Sequence, residues 1–251
     1  VSSPAQGETT QDKMLDGRVT LRQPARGYRA GLDAALLAAA CDAKDGERVI
    51  EAGCGAGAAL LAAASRRPET LFVGIERDPR ALELALENIA ANGMGGQVEA
   101  YEGNVAVRFS GLGLKPFDAA MANPPFFDDA DAIRGPAAER RGAWMADDGL
   151  EAWIGFLLKA VREGGTITLI HRADRLADIL ALLAPKAGSC QVLSVLPFAD
   201  QPAKRVLVRA IKTGKAPLRL LPPLILHDRE GGKHTPQAEA ILRGEAGLGW
   251  T

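Results

Sequence analysis

Apolar residues in this chain fall into two kinds of run that take turns. Short runs rich in branched and aromatic residues alternate with longer Ala/Leu stretches of helical length. Continuous short runs suit strands buried on both faces, and the longer stretches suit helices laid over them. Asp33 to Ala40 reads as a helix with Asp33 as its N-cap. Arg48 to Ala52 then reads as a strand, followed by a glycine cluster and a helix to about Ser65. Leu71 to Glu76 is a second strand, and Asp78-Pro79 opens a helix running to about Asn92. Pro79 sits there in the first turn, where its missing N–H costs nothing. Residues 97–102 and 117–122 are expected as third and fourth strands, the fourth against the poor strand propensity of its three alanines. A helix from Trp144 or Asp147 to Val161 follows, ended by Gly164-Gly165 before a strand from Thr166 to His171. Another helix starts near Asp174, and two strands, 191–196 and 204–211, come after it with no helix between them. That last pair predicts an antiparallel hairpin on an otherwise parallel sheet.

Strands alternating with helices imply a doubly wound α/β fold, with ligands at the carboxyl ends of its strands. The 251 residues divide into a flexible tail over 1–20, a main domain over 21–215 and an extension over 216–251 packed on it. Hydrophobic residues make up 47% and charged residues 24%, which is ordinary for a globular chain. The net charge of −1 excludes a globally basic polyanion binder, so any such surface must be a local patch. No apolar run reaches the ~18 residues of a membrane span. The polar opening VSSPAQGETTQDK reads as a frayed terminus of a cytoplasmic protein rather than a signal peptide. Cys41, Cys54 and Cys190 are odd in number and far apart, which suggests neither disulfides nor zinc. His171, His227 and His234 form no metal-ligand pattern, so no metal is expected.

The glycine cluster is the first candidate for chemistry. Glu51-Ala-Gly53-Cys-Gly55-Ala-Gly57 joins the first strand of the alternation to its helix, and glycines let backbone approach a ligand where a Cβ would collide. Glu76 closes the next strand, placed to accept the hydroxyls of a ribose, and Arg77 follows it. The second candidate is Asn123-Pro124-Pro125-Phe126, which follows the fourth strand. The Asn123 side-chain carbonyl and the Pro124 backbone carbonyl can each accept a hydrogen bond from one NH₂ group. A Pro-Pro step cannot fold back into helix there. Phe126 offers a flat face on which a base can stack.

The acid-x-G-x-G-x-G loop resembles that of S-adenosyl-L-methionine-dependent methyltransferases, and Asn-Pro-Pro-aromatic resembles the motif of enzymes that methylate adenine N6, guanine N2 or a glutamine amide. Residues 22–37, 165–175 and 215–235 extend the likeness to the bacterial valine-tRNA (adenine-N6) methyltransferases over nearly the whole chain. The resemblance implies a Rossmann-like class I fold, a seven-stranded mostly parallel sheet with an antiparallel C-terminal strand. It implies S-adenosyl-L-methionine as cofactor and tRNA or another RNA as substrate. It places Tyr28 and Asp33 in a segment over the donor pocket, Glu51 near the donor's cationic methionine part, and Asn104 where the family has an Asp beside adenine. Phe126, where adenine enzymes often have Tyr, keeps guanine open as target. A protein-glutamine methyltransferase and a non-catalytic RNA-docking module complete the alternatives. The implied chemistry is in-line methyl transfer by positioning and electrostatics. RNA contacts are expected from Arg134, Arg140 and Arg141 after the motif, and from Lys204, Arg205 and Arg209, in a second basic run that continues through Lys212, Lys215 and Arg219 with only Asp200 nearby to offset it.

Overall fold

The computed structural model describes residues 8–25, 29–107, 109–126 and 149–250. Its strands are β1 (Thr9–Met14), β2 (Val19–Pro24), β3 (Arg48–Ala52), β4 (Leu71–Glu76), β5 (Val98–Glu102), β6 (Phe117–Ala122), β7 (Val161–Arg172), β8 (Ala187–Leu196), β9 (Arg205–Lys212) and β10 (Arg219–Ile225). The helices are α1 (Leu32–Ala40), α2 (Ala58–Arg66), α3 (Pro79–Ala91), α4 (Leu150–Ala160), α5 (Leu176–Leu183) and α6 (Pro236–Arg243).

Eight strands make the main sheet, in the order β10-β8-β9-β7-β6-β3-β4-β5. The run from β7 to β5 is parallel, and β9 is antiparallel to both of its neighbours. Seven of these are the strands expected from the pattern. The eighth, β10, lies parallel to β8 at the sheet edge. Its Pro222 and Pro223 fall at a register shift, and prolines are tolerated at such an edge because no outer strand needs their N–H. The buried side chains of each central strand point alternately to the two faces of the sheet. Val49, Phe72, Ala119 and Leu207 join a core with α1 and α2, while Ile50, Val73, Ala120 and Val208 join one with α4 and α5. The alanines of β6 thus fit because both faces of the strand are covered.

Three details depart from the sequence expectations. Gly31 caps α1, and Asp33 sits in its first turn without making a side-chain cap bond. Gly164 and Gly165 lie inside β7 rather than before it, at a register shift with Gly164 at φ +75°. Residues 9–20 also do not form a tail, because β1 pairs with β2 in an antiparallel hairpin.

The outer edge of β2 is satisfied by a helix. Asn92 accepts from the Thr20 N–H (2.9 Å) and donates to the Thr20 carbonyl (2.7 Å). Asn88 does the same for Arg22, at 2.8 Å each way. Residues i and i+4 on a helix are ~6 Å apart, close to the ~6.6 Å between residues i and i+2 on a strand. Asn88 of α3 and Asn92 at its C-cap therefore imitate a neighbouring strand.

The C-terminal extension closes the other end of α1. The Trp250 indole N–H donates to the Ala40 carbonyl (2.8 Å) and the Leu248 N–H to the Ala39 carbonyl (3.0 Å), supplying partners that a helix C-terminus lacks.

Candidate functional site

The ends of β3, β4 and β6 lie level, since Ala52 pairs with Ile75 on one side and Ala122 on the other. The chain leaves β3 for β4 on one side, while β6 occupies the other. This is the topological switch point where open α/β sheets hold ligands. A cavity of about 430 Å³ opens there. Glu51, Gly53, Gly55, Glu76, Arg77, Asn123 and Pro125 all line it.

The glycine loop is clasped to β4, with Gly53 and Cys54 N–H groups donating to the Ile75 carbonyl at 2.7 and 3.1 Å. Gly53 has φ +67°, and a Cβ built on it would lie 2.3 Å from the Trp153 ring. Gly55 has φ +56°, and a Cβ there would meet nothing within 4 Å. The first glycine therefore makes room for an α4 side chain and the second leaves room at the cavity. Gly57 caps α2 and does not line the cavity.

Glu76 is held by three backbone donors at 2.8 Å each, Gly55 to Oε2 and Arg77 and Asp78 to Oε1. A carboxylate offers about four lone-pair sites, so acceptor capacity remains for hydroxyl donors. Glu51 is 3% exposed, and its Oε2 has no hydrogen-bond partner among the described residues. Burial first and the Glu76 carboxylate second hold its pKa well above the usual carboxylate range. A buried acid of that kind becomes an anion when a cation arrives beside it.

Sequence reasoning singled out none of the next residues individually, although Gln23 and Pro24 fall in the segment 22–37 that the resemblance lays over the donor pocket. Trp153 lines the cavity with its indole N–H buried and unpartnered among the described residues. Gln23 and Pro24 of β2 form another wall, with Gln23 fixed by the Ala30 N–H to its Oε1 (2.9 Å) and by its own donation to Asp12 (2.8 Å). Ile75, Leu84 and Val105 add apolar surface. No local motif marks Trp153 or Leu84, whereas Ile75 directly precedes Glu76 and Val105 directly follows Asn104.

Other expected residues lie elsewhere. Asn104 does not line the cavity, and its Oδ1 accepts from the Ala106 N–H (2.8 Å), which makes it a turn residue. Asp33 stands outside the cavity and pairs with Arg205 at 2.9 Å. Arg209 pairs with Asp42 at 2.6 Å, and Lys212 with Glu163 at 3.2 Å. The second basic run is thus offset by carboxylates from α1, the residues after it and β7, rather than by Asp200, which binds Arg229. Lys204 is exposed. Pro124 is buried, and Phe126 is half-buried beside the cavity residue Pro125. Tyr28, Arg134, Arg140 and Arg141 lie outside the described residues.

Among the described residues no group of three or more His, Cys, Asp or Glu could hold a metal ion, and no helix is long and apolar enough to cross a membrane. The donor set suits a ligand with an ammonium for Glu51, paired hydroxyls for Glu76 and a flat apolar part for Ile75, Leu84 and Val105.

Comparison with known proteins agrees with this geometry. The family model of the methyltransferase small domain matches residues 29–139. A tRNA1(Val) (adenine(37)-N6)-methyltransferase of Yersinia enterocolitica is 32% identical over 70% of this chain and 69% of its own. One of that name from a Flavobacteriaceae bacterium is 31% identical over 44% of this chain and 47% of its own. A release factor glutamine methyltransferase of Gloeobacter violaceus is 28% identical over 57% and 52%. The alignments thus span between about half and two thirds of these relatives. A crystal structure from Agrobacterium tumefaciens, described as a predicted O-methyltransferase, superimposes with a TM-score of 0.73 at 26% identity, over 86% of this chain and 98% of that one. With a class I methyltransferase fold and this likeness to the Yersinia enzyme, the chain belongs to the tRNA1(Val) (adenine(37)-N6)-methyltransferase family.

Proposed function

We propose that the protein transfers a methyl group from S-adenosylmethionine to the N6 amine of an adenosine in tRNA. The observation that carries this reading is that Asn123 and Pro125 open onto the same cavity as Glu51 and Glu76. A group gripped at the end of β6 then lies beside whatever the glycine loop holds. The cavity's residues fit the donor. Glu51 suits its ammonium, Glu76 its ribose hydroxyls, and Gly55 lets backbone approach closely. When bound, S-adenosylmethionine supplies an electrophilic methyl group on a sulfonium.

The rest of the work falls to this chain's own atoms. The Asn123 side-chain carbonyl and the Pro124 backbone carbonyl accept both N–H bonds of the amine. Gripped that way, the nitrogen is drawn toward tetrahedral geometry and its lone pair is freed from the ring. Phe126 stacks the base and fixes its plane. The amine proton is lost after transfer, when it has become acidic, so no strong base is needed near the cavity. Positioning and pre-aimed acceptors carry the acceleration. We place the reaction in the cytoplasm, in keeping with three free, buried cysteines.

The test is to incubate the full chain with radiolabelled S-adenosylmethionine and either unmodified total tRNA or a bacterial release factor, then identify the labelled nucleoside or protein. N6-methyladenosine is the expected product. N2-methylguanosine would move the target to guanine, and label in release factor rather than RNA would favour the glutamine enzymes among its relatives.

A further inference from the structure

Phe126 does not stand alone at the end of its motif. The guanidinium carbon of Arg205 lies 4.5 Å from its ring centroid, over the ring. The His171 ring meets it edge-on, with centroids 5.3 Å apart and planes at 83°. Arg205 Nε in turn donates to Asp33 Oδ2 at 2.9 Å. Asp33 lies in the first turn of α1, directly before Ala34, which lines the donor cavity. His171 is 2% exposed, with neither ring nitrogen hydrogen-bonded among the described residues. Burial first and the Arg175 cation second lower its pKa to about 4, so at neutral pH it meets Phe126 as an uncharged ring.

We propose that Arg205, anchored by Asp33, is a positioning residue that sets the plane of the Phe126 ring and ties it to the helix bordering the donor cavity. This rests on the reading that Phe126 stacks the acceptor base. A guanidinium is flat and covers one face of an aromatic ring by cation–π and stacking contact. The base is then received on another part of the ring, in a fixed orientation. An ammonium has the charge of a guanidinium without its plane, so lysine cannot replace arginine here. Arg205 is 28% exposed on its side chain and already paired, which sets it apart from a phosphate-binding arginine.

The two roles give different measurements. Substituting an arginine that binds phosphate raises the KM for tRNA and lowers the salt slope of binding by about 1, leaving kcat alone. Substituting a positioning residue lowers kcat and leaves the salt slope unchanged. The full chain is assayed with unmodified total tRNA and S-adenosylmethionine, as wild type, Arg205→Gln, Arg205→Lys, Asp33→Asn, Phe126→Leu and Phe126→Leu/Arg205→Gln. The expected result is a kcat at least about tenfold lower in both Arg205 variants, with donor affinity by calorimetry and salt slope as in wild type. Asp33→Asn gives a smaller loss. The double variant is no slower than Phe126→Leu, because Arg205 acts through the ring. If Arg205→Gln does not fold, Arg205→Lys, which retains the charge, carries the same comparison. Slow Phe126→Leu beside Arg205 variants with wild-type kcat, or a salt slope reduced at unchanged kcat, overturns the positioning role alone. Wild-type kcat in Phe126→Leu overturns the stacking reading and this proposal with it.

Discussion

Gly53 and Gly55 belong to one loop, yet they should fail in different ways when each is replaced by alanine. In Gly53→Ala the new Cβ would lie 2.3 Å from one Trp153 ring carbon and 2.8 Å from the next. Trp153 is 8% exposed and packed in the core under the loop, so it cannot simply swing aside. Such overpacking costs about 1–3 kcal/mol. The left-handed backbone at φ +67° adds about 1–2 kcal/mol for any L side chain. Together these come to about 2–5 kcal/mol, a fall in Tm of roughly 4–20 °C for a chain of this size. In Gly55→Ala only the backbone cost applies, at φ +56°, so Tm should fall by roughly 2–8 °C. The Gly55 methyl group would instead sit at the cavity. Titration calorimetry with S-adenosylhomocysteine should then show affinity down by at least about tenfold, a loss of 1.4 kcal/mol. Scanning calorimetry supplies the Tm values. Gly53→Ala with a wild-type Tm, or Gly55→Ala with full affinity, would refute the division of labour between the two glycines.

Asn123→Ala should bind donor normally and lose about 10²–10³-fold in kcat; full turnover would remove Asn123 from the mechanism. Because burial first and Glu76 second hold the Glu51 pKa well above the ordinary carboxylate range, binding of a cationic amine should release a proton at pH values inside that raised range. Calorimetry at pH above the ordinary carboxylate range, in buffers of different ionisation enthalpy, should show that release, and Glu51→Gln should abolish it. The folded pKa of Glu51 lies above the unfolded one, so the stability it contributes is present at low pH and falls as pH rises past about 4.5. Glu51→Gln should therefore be more stable than wild type at neutral pH in the absence of ligand, which urea titration can measure. For His171 the sign is opposite. Its folded pKa of about 4 lies below the ordinary 6.5, so stability is lost as pH falls between those values. His171→Phe should flatten the unfolding free energy over that window.

The fold was legible wherever one element decided its own fate. Asp78 caps α3 through the Arg80 N–H at 2.8 Å with Pro79 behind it, as the sequence suggests. The loop of Gly53 to Gly57, the acid ending β4 and the amide ending β6 are local signals too, since each follows a strand at the sheet end where ligands gather. What could not be read depends on partners far along the chain. Asp33 looks like a cap because Asp commonly caps helices, but Arg205, 172 residues away, claims its carboxylate. The run of positive charge from Lys204 onward looks like a phosphate surface until Asp33, Asp42 and Glu163 arrive beside it. Trp153 carries no mark of a cavity residue, because any buried tryptophan on a helix has the same surroundings in sequence.

Asn88 of α3 and Asn92 at its C-cap also bear on how the protein breathes. Amide protons of Thr20 and Arg22 are held by side-chain oxygens of Asn92 and Asn88, not by any strand of the main sheet. Their exchange with solvent deuterium should therefore report the opening of α3. In native-state exchange the hairpin and α3 should behave as one cooperative unit, distinct from the slowly exchanging centre of the sheet. Asn88 also donates to the Ala56 carbonyl in the glycine loop (2.9 Å). A ligand that quiets that loop should thus slow exchange in a hairpin it reaches only through Gln23 and Pro24.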